Sequence, residues 1–176
     1  KSWAVPKGPS LNPVEKRLAV HVEDHPLEYA DFEGVIPPKQ YGAGTVMVWD
    51  RGRWKAEGDP LVAYRKGRLK FSLDGEKLHG RWSLVRMGHG SHDNGRNWLL
   101  IKERDEATQT NRNAEVTNVL TRSVKSGMDL DEIAEGKRDV WHPHRSADWT
   151  QRQSLLQRPQ ALHPNIDPPR AISPAK

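Results

Sequence analysis

The sequence predicts an all-β domain, a compact antiparallel barrel or sandwich, followed by a disordered C-terminal tail. Short apolar runs alternate with polar residues at a period of two, and turns rich in Gly, Pro and Asp separate them. No long helical pattern interrupts these runs. The hydrophobic fraction of 35% is low for a chain that packs throughout. Part of the chain is therefore expected to stay outside the core.

The candidate strands occupy the first part of the chain, at 2–5, 18–22, 45–49, 53–56, 68–73, 80–86 and 97–102. Within 68–73, Leu69, Phe71 and Leu73 are expected to face the core, because successive strand side chains alternate between the two faces. The residues Asp50-Arg51-Gly52 have turn composition, and they predict a hairpin between 45–49 and 53–56.

The aromatic residues mark the folded part of the chain. All of them except Trp141 and Trp149 precede Ala107, and large aromatic side chains contribute much of the buried area of a core. The β-domain is therefore predicted over 1–106. A polar linker with a short helix from Asp129 is predicted over 107–141, and a disordered tail over 142–176.

Composition excludes several classes of protein. Cysteine is absent, so there is no disulfide framework, cysteine nucleophile or thiolate metal site. No apolar run approaches the ~20 residues of a membrane helix. The net charge of +5 does not establish nucleic-acid binding. The basic run 65–70 is interpreted either as a contact to a nucleic-acid backbone or as a solvated strand edge.

The segment from Arg17 to Phe32 carries the densest polar residues. Acidic residues precede His25, and Tyr29 follows it by four positions. A histidine beside carboxylates at a strand end can serve acid–base or phosphate chemistry. An ordinary turn is the alternative, and the spacing alone favours the turn. Lys7 opens Lys-Gly-Pro-Ser, a turn that can present a lysine and main-chain amides to an anion.

Two clusters contain residue types that can bind a metal. In the first, His21 and His25 combine with Glu23 or Asp24; residues 21, 23 and 25 share a face if the strand continues through them, and such a set can hold a divalent ion. The second cluster lies in a Gly-rich loop that is interpreted as a hairpin loop rather than a metal site; it contains His89, His92 and Asp93.

The order of several motifs is more informative than any one of them. These motifs are Lys1–Ser10 (KSWAVPKGPS), Lys16–Val20 (KRLAV), Glu23–Tyr29 (EDHPLEY), Phe32–Pro37 (FEGVIP), Tyr41–Gly44 (YGAG), Trp49–Gly52 (WDRG), Gly75–Gly80 (GEKLHG) and Trp98–Lys102 (WLLIK). In this order they resemble the 3′-phosphoesterase domain of bacterial DNA ligase D, from Lys1 to about Ala107. The resemblance implies a compact antiparallel β-barrel with an active-site groove on one side.

The resemblance also implies a function. Members of this family are manganese-dependent enzymes that process DNA 3′ ends during non-homologous end joining. They remove a 3′-phosphate or a 3′-terminal ribonucleoside and leave a 3′-hydroxyl. The implied partners are DNA 3′ ends, ATP-dependent ligase and polymerase domains in the same or a separate chain, and the end-binding protein Ku. The implied location is the bacterial cytoplasm, in association with the nucleoid.

Five residues correspond to functional positions of the family. By resemblance, His25 contacts the scissile phosphate and Tyr29 binds it, while Lys7, Arg17 and Glu23 match further functional positions. Lys and Arg side chains can neutralise phosphate oxygens during phosphoryl transfer. The histidine can donate a hydrogen bond or protonate the leaving group.

The resemblance leaves the metal site unassigned. The manganese ligands of the family, two histidines and an aspartate, lie upstream of the Lys-Ser-Trp-Ala-Val-Pro motif at which this sequence begins. We therefore expect a barrel incomplete at its N-terminus, no metal ligands of the family kind, and little activity from this chain alone. A non-catalytic DNA-end-binding or scaffold module is the alternative function, and an unrelated all-β binding domain is a third.

Overall fold

The computed structural model describes residues 1–40, 42–88 and 94–136. Three expectations lie outside these residues. They concern the tail over 142–176, the loop cluster of His89, His92 and Asp93, and the end of the linker from 137 to 141. All fold statements below refer to the described residues.

The described chain forms two antiparallel sheets. The strands are β1 (Ser2–Ala4), β2 (Lys16–Val22), β3 (Gly34–Ile36), β4 (Gly44–Val46), β5 (Gly52–Ala56), β6 (Arg68–Gly75), β7 (His79–Arg86) and β8 (Asn97–Lys102). The larger sheet has the order β1-β2-β8-β7-β6-β5, and β3 pairs with β4 in a separate ribbon. The six-stranded sheet curls into a half-barrel. The predicted all-β antiparallel fold is confirmed.

The concave face of the half-barrel carries the core. Cross-strand neighbours share a face, so the pairs Ala19–Trp98 and Phe71–Trp82 both point inward. All four of these side chains are buried. Leu69 joins them, as the alternation in β6 predicted, while Lys70 between Leu69 and Phe71 is exposed. The core is thus made by strands from both ends of the domain.

The predicted hairpin across Asp50-Arg51-Gly52 is wrong. β4 pairs with β3, and β5 pairs with β6. The reason is the Asp50 carboxylate, which accepts the backbone N–H groups of Lys77 at 3.0 Å and Leu78 at 2.9 Å. Asp50 therefore braces the turn between β6 and β7 and does not close a turn of its own. In the basic run, Arg68 to Lys70 pair with β7, whereas β5 pairs with β6 only from Phe71 onward, so both interpretations of this run stay open.

The helix α1 (Pro60–Arg65) was not predicted from the sequence. It begins after Asp59, whose side chain accepts the N–H groups of Leu61 and Val62. An aspartate N-cap followed by proline at the first helical position is a standard start signal. The helix has only six residues, too short for its apolar periodicity to stand out.

The segment after residue 106 packs against the sheet. It contains α2 (Val116–Val119) and α3 (Leu130–Glu135). α3 confirms the short helix predicted from Asp129, which closes a capping box with Glu132. Ala114 and Val116, each 3% exposed, belong to the core. The domain boundary at 106 stays a prediction. Among the described residues, no helix is long and apolar enough to cross a membrane.

Candidate phosphate-binding site

The turn after β2 brings His25 and Tyr29 together. β2 ends at Val22, and Pro26 precedes a 3₁₀ helix over Leu27–Asp31. Within this turn the two rings stack, with centroids 5.3 Å apart and planes inclined by 30°. The four-residue spacing seen in the sequence thus becomes a direct side-chain contact.

Ser2 holds the His25 ring from the neighbouring strand. The Nδ1 atom of His25 and the Oγ atom of Ser2 lie 3.1 Å apart. β1 and β2 are antiparallel with Ser2 opposite Val22, which places Ser2 beside the chain that leaves β2. If the hydroxyl donates to Nδ1, the neutral ring carries its proton on Nε2 and can donate it to a phosphate oxygen. Sequence analysis did not single out Ser2.

Tyr29 lies in an apolar depression of about 470 Å³, which it shares with Phe32, Trp49 and Leu100 among others. This burial raises the pKa of the Tyr29 phenol, because low polarity disfavours the phenolate. The hydroxyl therefore keeps its proton at neutral pH. Tyr29 can act as a hydrogen-bond donor to an anion.

Lys7 projects from a turn between β1 and β2. The N–H of Gly8 donates to the carbonyl of Val5 at 2.8 Å, and Gly8 has a φ of +68°, which favours glycine. Lys7 is exposed. The predicted lysine-presenting turn is confirmed; its contact with an anion stays a prediction.

Arg17 points to the concave face and is largely buried, with 13% of its side chain exposed. Its Nη2 atom contacts Glu15 Oε2 at 2.5 Å and also contacts Glu115. Its buried Nε–H has no hydrogen-bond partner among the described residues. At a rise of about 3.3 Å per residue, Arg17 lies about 16 Å along β2 from Val22. Arg17 and His25 therefore do not face one atom.

Glu23 is exposed in the loop that follows β2. The next residue, Asp24, forms an ion pair with Lys1 at 2.8 Å. The hydrogen bond from Lys1 lowers the pKa of the Asp24 carboxyl. This pairing fixes the loop that leads to His25.

The metal interpretation of His21, Glu23 and His25 is wrong. The strand ends at Val22, so the three residues do not continue one strand face. His21 Nε2 instead lies 3.3 Å from the hydroxyl of Tyr64. Within 1–40, 42–88 and 94–136, no three His, Asp or Glu side chains form a group that could hold a metal ion. The described residues do not fit a manganese site.

A cavity larger than the Tyr29 depression lies elsewhere. A groove of about 640 Å³ runs along the concave face and is lined mainly by apolar side chains, including Trp3, Trp54, Tyr64, Phe71 and Leu84. None of the five residues proposed from the resemblance lines this groove. The volume of this groove therefore does not support the candidate phosphate site.

Comparison with known proteins identifies the family of the N-terminal part. The model of the DNA Ligase D 3′-phosphoesterase domain matches residues 1–86. This region, just under half of the chain, matches the DNA ligase D 3′-phosphoesterase domain family. All five candidate site residues lie inside the matched region.

The relatives of this chain are much longer than it is. The multifunctional non-homologous end joining protein LigD of Pseudomonas aeruginosa is 59% identical over 105 residues, which is 60% of this chain and 12% of that protein. The LigD DNA repair protein of Mycobacterium tuberculosis H37Rv is 41% identical over 111 residues, 61% of this chain and 13% of that protein. The LigD protein of Mycolicibacterium smegmatis is 38% identical over 113 residues. The chain thus spans about an eighth of the length of these relatives.

Proposed function

We propose that this domain recognises the 3′ end of DNA and takes part in removing a 3′-phosphate or a 3′-terminal ribonucleoside during non-homologous end joining. The observation that carries the proposal is the stacked His25–Tyr29 pair, inside the family match. Both side chains can donate hydrogen bonds to phosphate oxygens, and an exposed lysine, Lys7, can add positive charge.

The roles follow from the environment of each group. Tyr29 donates its hydroxyl to the phosphate, because a phenol is protonated at neutral pH and burial raises the pKa of this one further. His25, oriented by Ser2 through Nδ1, presents Nε2 to a phosphate oxygen or to the leaving oxygen, which takes up a proton as the bond breaks. Lys7 and Arg17 neutralise phosphate charge on the bound strand.

Dependence on Mn²⁺ is what the family resemblance implies. Because the described residues of this chain do not form a metal site, we expect this chain alone to cleave little. The proposed partners are DNA 3′ ends, ligase and polymerase activities of the larger proteins, and Ku. The names of the relatives support a setting in end joining, since they are called multifunctional non-homologous end joining proteins.

A second candidate is a non-catalytic module that binds DNA ends. It is favoured by what the site contains: His25, Tyr29 and Lys7 are donors and cations that hold a phosphate, and binding is the step that such groups support by themselves. The two candidates agree on recognition and differ on cleavage.

Recognition is tested by fluorescence anisotropy with two primer-templates that differ only in a 3′-phosphate or a 3′-hydroxyl, at one fixed salt concentration. We expect tighter binding of the phosphorylated end and loss of that preference in His25→Ala. His79→Ala, a change of an exposed histidine on β7, is the matched control. Equal affinity of wild type for both ends would refute the proposal.

Cleavage is tested with the same phosphorylated primer, with Mn²⁺ or with a chelator, by resolving 3′-phosphate and 3′-hydroxyl products on a denaturing gel. Metal-dependent conversion that disappears in His25→Ala would establish the enzyme. A preference for the phosphorylated end without conversion would favour the binding module.

A further inference from the structure

One segment contacts each of the three chain regions that carry the proposed phosphate ligands. This segment, Gln109–Lys125, is called the strap. It begins after the predicted domain boundary, and it lies beyond the residues that the family model matches. Its anchors in the core are Ala114 and Val116, each 3% exposed.

The strap holds the loop that follows Lys7. The N–H of Leu11 donates to the carbonyl of Ala114 at 2.9 Å, and the N–H of Gln109 donates to the carbonyl of Leu11 at 3.1 Å. Thr117 packs so closely on Gly8 that an added Cβ there would lie 2.8 Å from Thr117 Cγ2. The turn that presents Lys7 is thus fixed from one side by the strap.

The strap also holds Arg17. Glu115 contacts the Nη2 atom that Glu15 contacts from the other side. Both carboxylates engage Nη2 and so restrict the guanidinium group, whose buried Nε–H has no hydrogen-bond partner among the described residues. Because only 13% of the side chain is exposed, its orientation decides which of its N–H groups can reach a ligand.

The third contact is with the turn that carries Tyr29. Lys125 Nζ donates to the carbonyl of Asp31 at 2.6 Å, the last residue of the 3₁₀ helix. Ser123 donates its hydroxyl to the carboxylate of Glu33, two residues further on. These bonds tie the C-terminal end of the Tyr29 turn to the strap.

We propose that the strap positions the phosphate-binding residues of this domain, and that Glu115 is the positioning residue for Arg17. The proposal rests on the proposed function, because Arg17 must contact the bound strand for its orientation to matter. It assigns a role in DNA-end binding to a part of the chain that no feature of the family match includes.

The test is a double-mutant cycle on binding to the 3′-phosphate primer-template. It uses the full chain as wild type, Arg17→Ala, Glu115→Ala and the double variant. Glu115→Ala is expected to weaken binding about tenfold, within the two- to thirtyfold range of indirect effects. In the Arg17→Ala background the same change is expected to have no further effect, because Glu115 acts through Arg17.

Asn118→Ala, a change of an exposed strap residue in α2, is the control and should bind as wild type. Glu115→Gln replaces Glu115→Ala if thermal unfolding shows that the alanine variant does not fold.

Each outcome is decisive. An equal loss in both backgrounds would mean that Glu115 supports the fold in general, and it would overturn the inference. Unchanged binding by Glu115→Ala would also overturn the inference. Tighter binding would overturn it too, because it would show that Glu115 competes with phosphate for Arg17. These results would leave the proposed function standing if wild type still prefers the phosphorylated end. If wild type shows no such preference, the proposed function fails and the inference falls with it.

Discussion

Ser123 is the residue whose loss should loosen the strap most directly. Ser123 is buried, with 4% of its surface exposed. The hydroxyl donates to the Glu33 carboxylate and accepts the N–H groups of Lys125 at 3.0 Å and Ser126 at 3.1 Å. Ser123→Ala removes all three contacts in one small change.

The magnitude follows from these contacts. A hydrogen bond to a charged group contributes about 1.5–3 kcal/mol, and loss of a serine that caps backbone N–H groups costs about 1 kcal/mol. Glu33 keeps the N–H of Val48 at 3.1 Å, so its carboxylate is not left without donors. Ser123→Ala should therefore lower the free energy of unfolding by about 2–4 kcal/mol.

The assay is urea unfolding at pH 7, followed by tryptophan fluorescence. Ser72→Ala is the matched control, because Ser72 lies on the outer face of β6, away from the strap, and such changes stay within about 0.5 kcal/mol. If Ser123→Ala costs no more than Ser72→Ala, the strap is not held by this hydroxyl and the reasoning fails.

The same variant should change the response to acid. Burial alone raises the pKa of the Glu33 carboxyl, but hydrogen bonds from Ser123, Ser126 and the Val48 N–H, with the charge of Lys125, lower this pKa overall. A carboxylate with a lower pKa in the folded state stabilises the fold above its unfolded pKa, and this stabilisation is lost as pH falls through the folded value. The cost of Ser123→Ala should therefore be full at pH 7 and shrink below about pH 4. An undiminished cost at pH 3 would contradict this.

Three further variants test other contacts. Ser2→Ala removes the partner of His25 Nδ1 and should weaken anisotropy-measured binding of the 3′-phosphate end about threefold, in line with one neutral hydrogen bond; unchanged affinity would show that Ser2 does not orient the ring. Lys102→Met leaves Asp105 without the buried ammonium 2.6 Å away and should destabilise the fold by about 3 kcal/mol in urea, unlike Lys16→Met at an exposed position. Gly80→Ala places a side chain at a φ of +79° and a Cβ 2.5 Å from Asp105 Oδ2. Gly58→Ala is its control, because Gly58 has the same φ and no atom within 4 Å of the added Cβ. The melting temperature of Gly80→Ala should be several degrees below that of Gly58→Ala.

The strands could be predicted because their period is visible locally. In β6 the alternation of Lys70 with Leu69 and Phe71 is enough to assign both faces. The pairing of the strands was harder to predict from the sequence. The partner of β5 depends on Asp50, whose carboxylate binds backbone groups of Lys77 and Leu78, and no local pattern shows where a side chain will find its donors.

The candidate site also has a part that the sequence predicts and a part that it does not. The adjacency of His25 and Tyr29 follows from their four-residue spacing and from Pro26, which ends the extended chain. Ser2 could have been found once β1 and β2 were paired, since their register places it near residue 25. Glu115 carried no sequence signal, because it lies 98 residues from Arg17 in a segment with linker composition.

The strap shows that a segment of linker composition can still contact the folded domain. A segment is assigned to a linker when it lacks apolar residues, but a strap needs few of them if the chain beneath offers backbone and charged partners. Here Ala114 and Val116 supply the burial, while Glu115 and Ser123 satisfy groups that the sheet leaves open. Burial of two small side chains contributes only a few kcal/mol, so most of the specificity of the strap must come from its polar contacts. A polar stretch beside a site rich in cations is therefore as much a candidate for part of that site as for a linker, and contacts rather than hydropathy decide between the two.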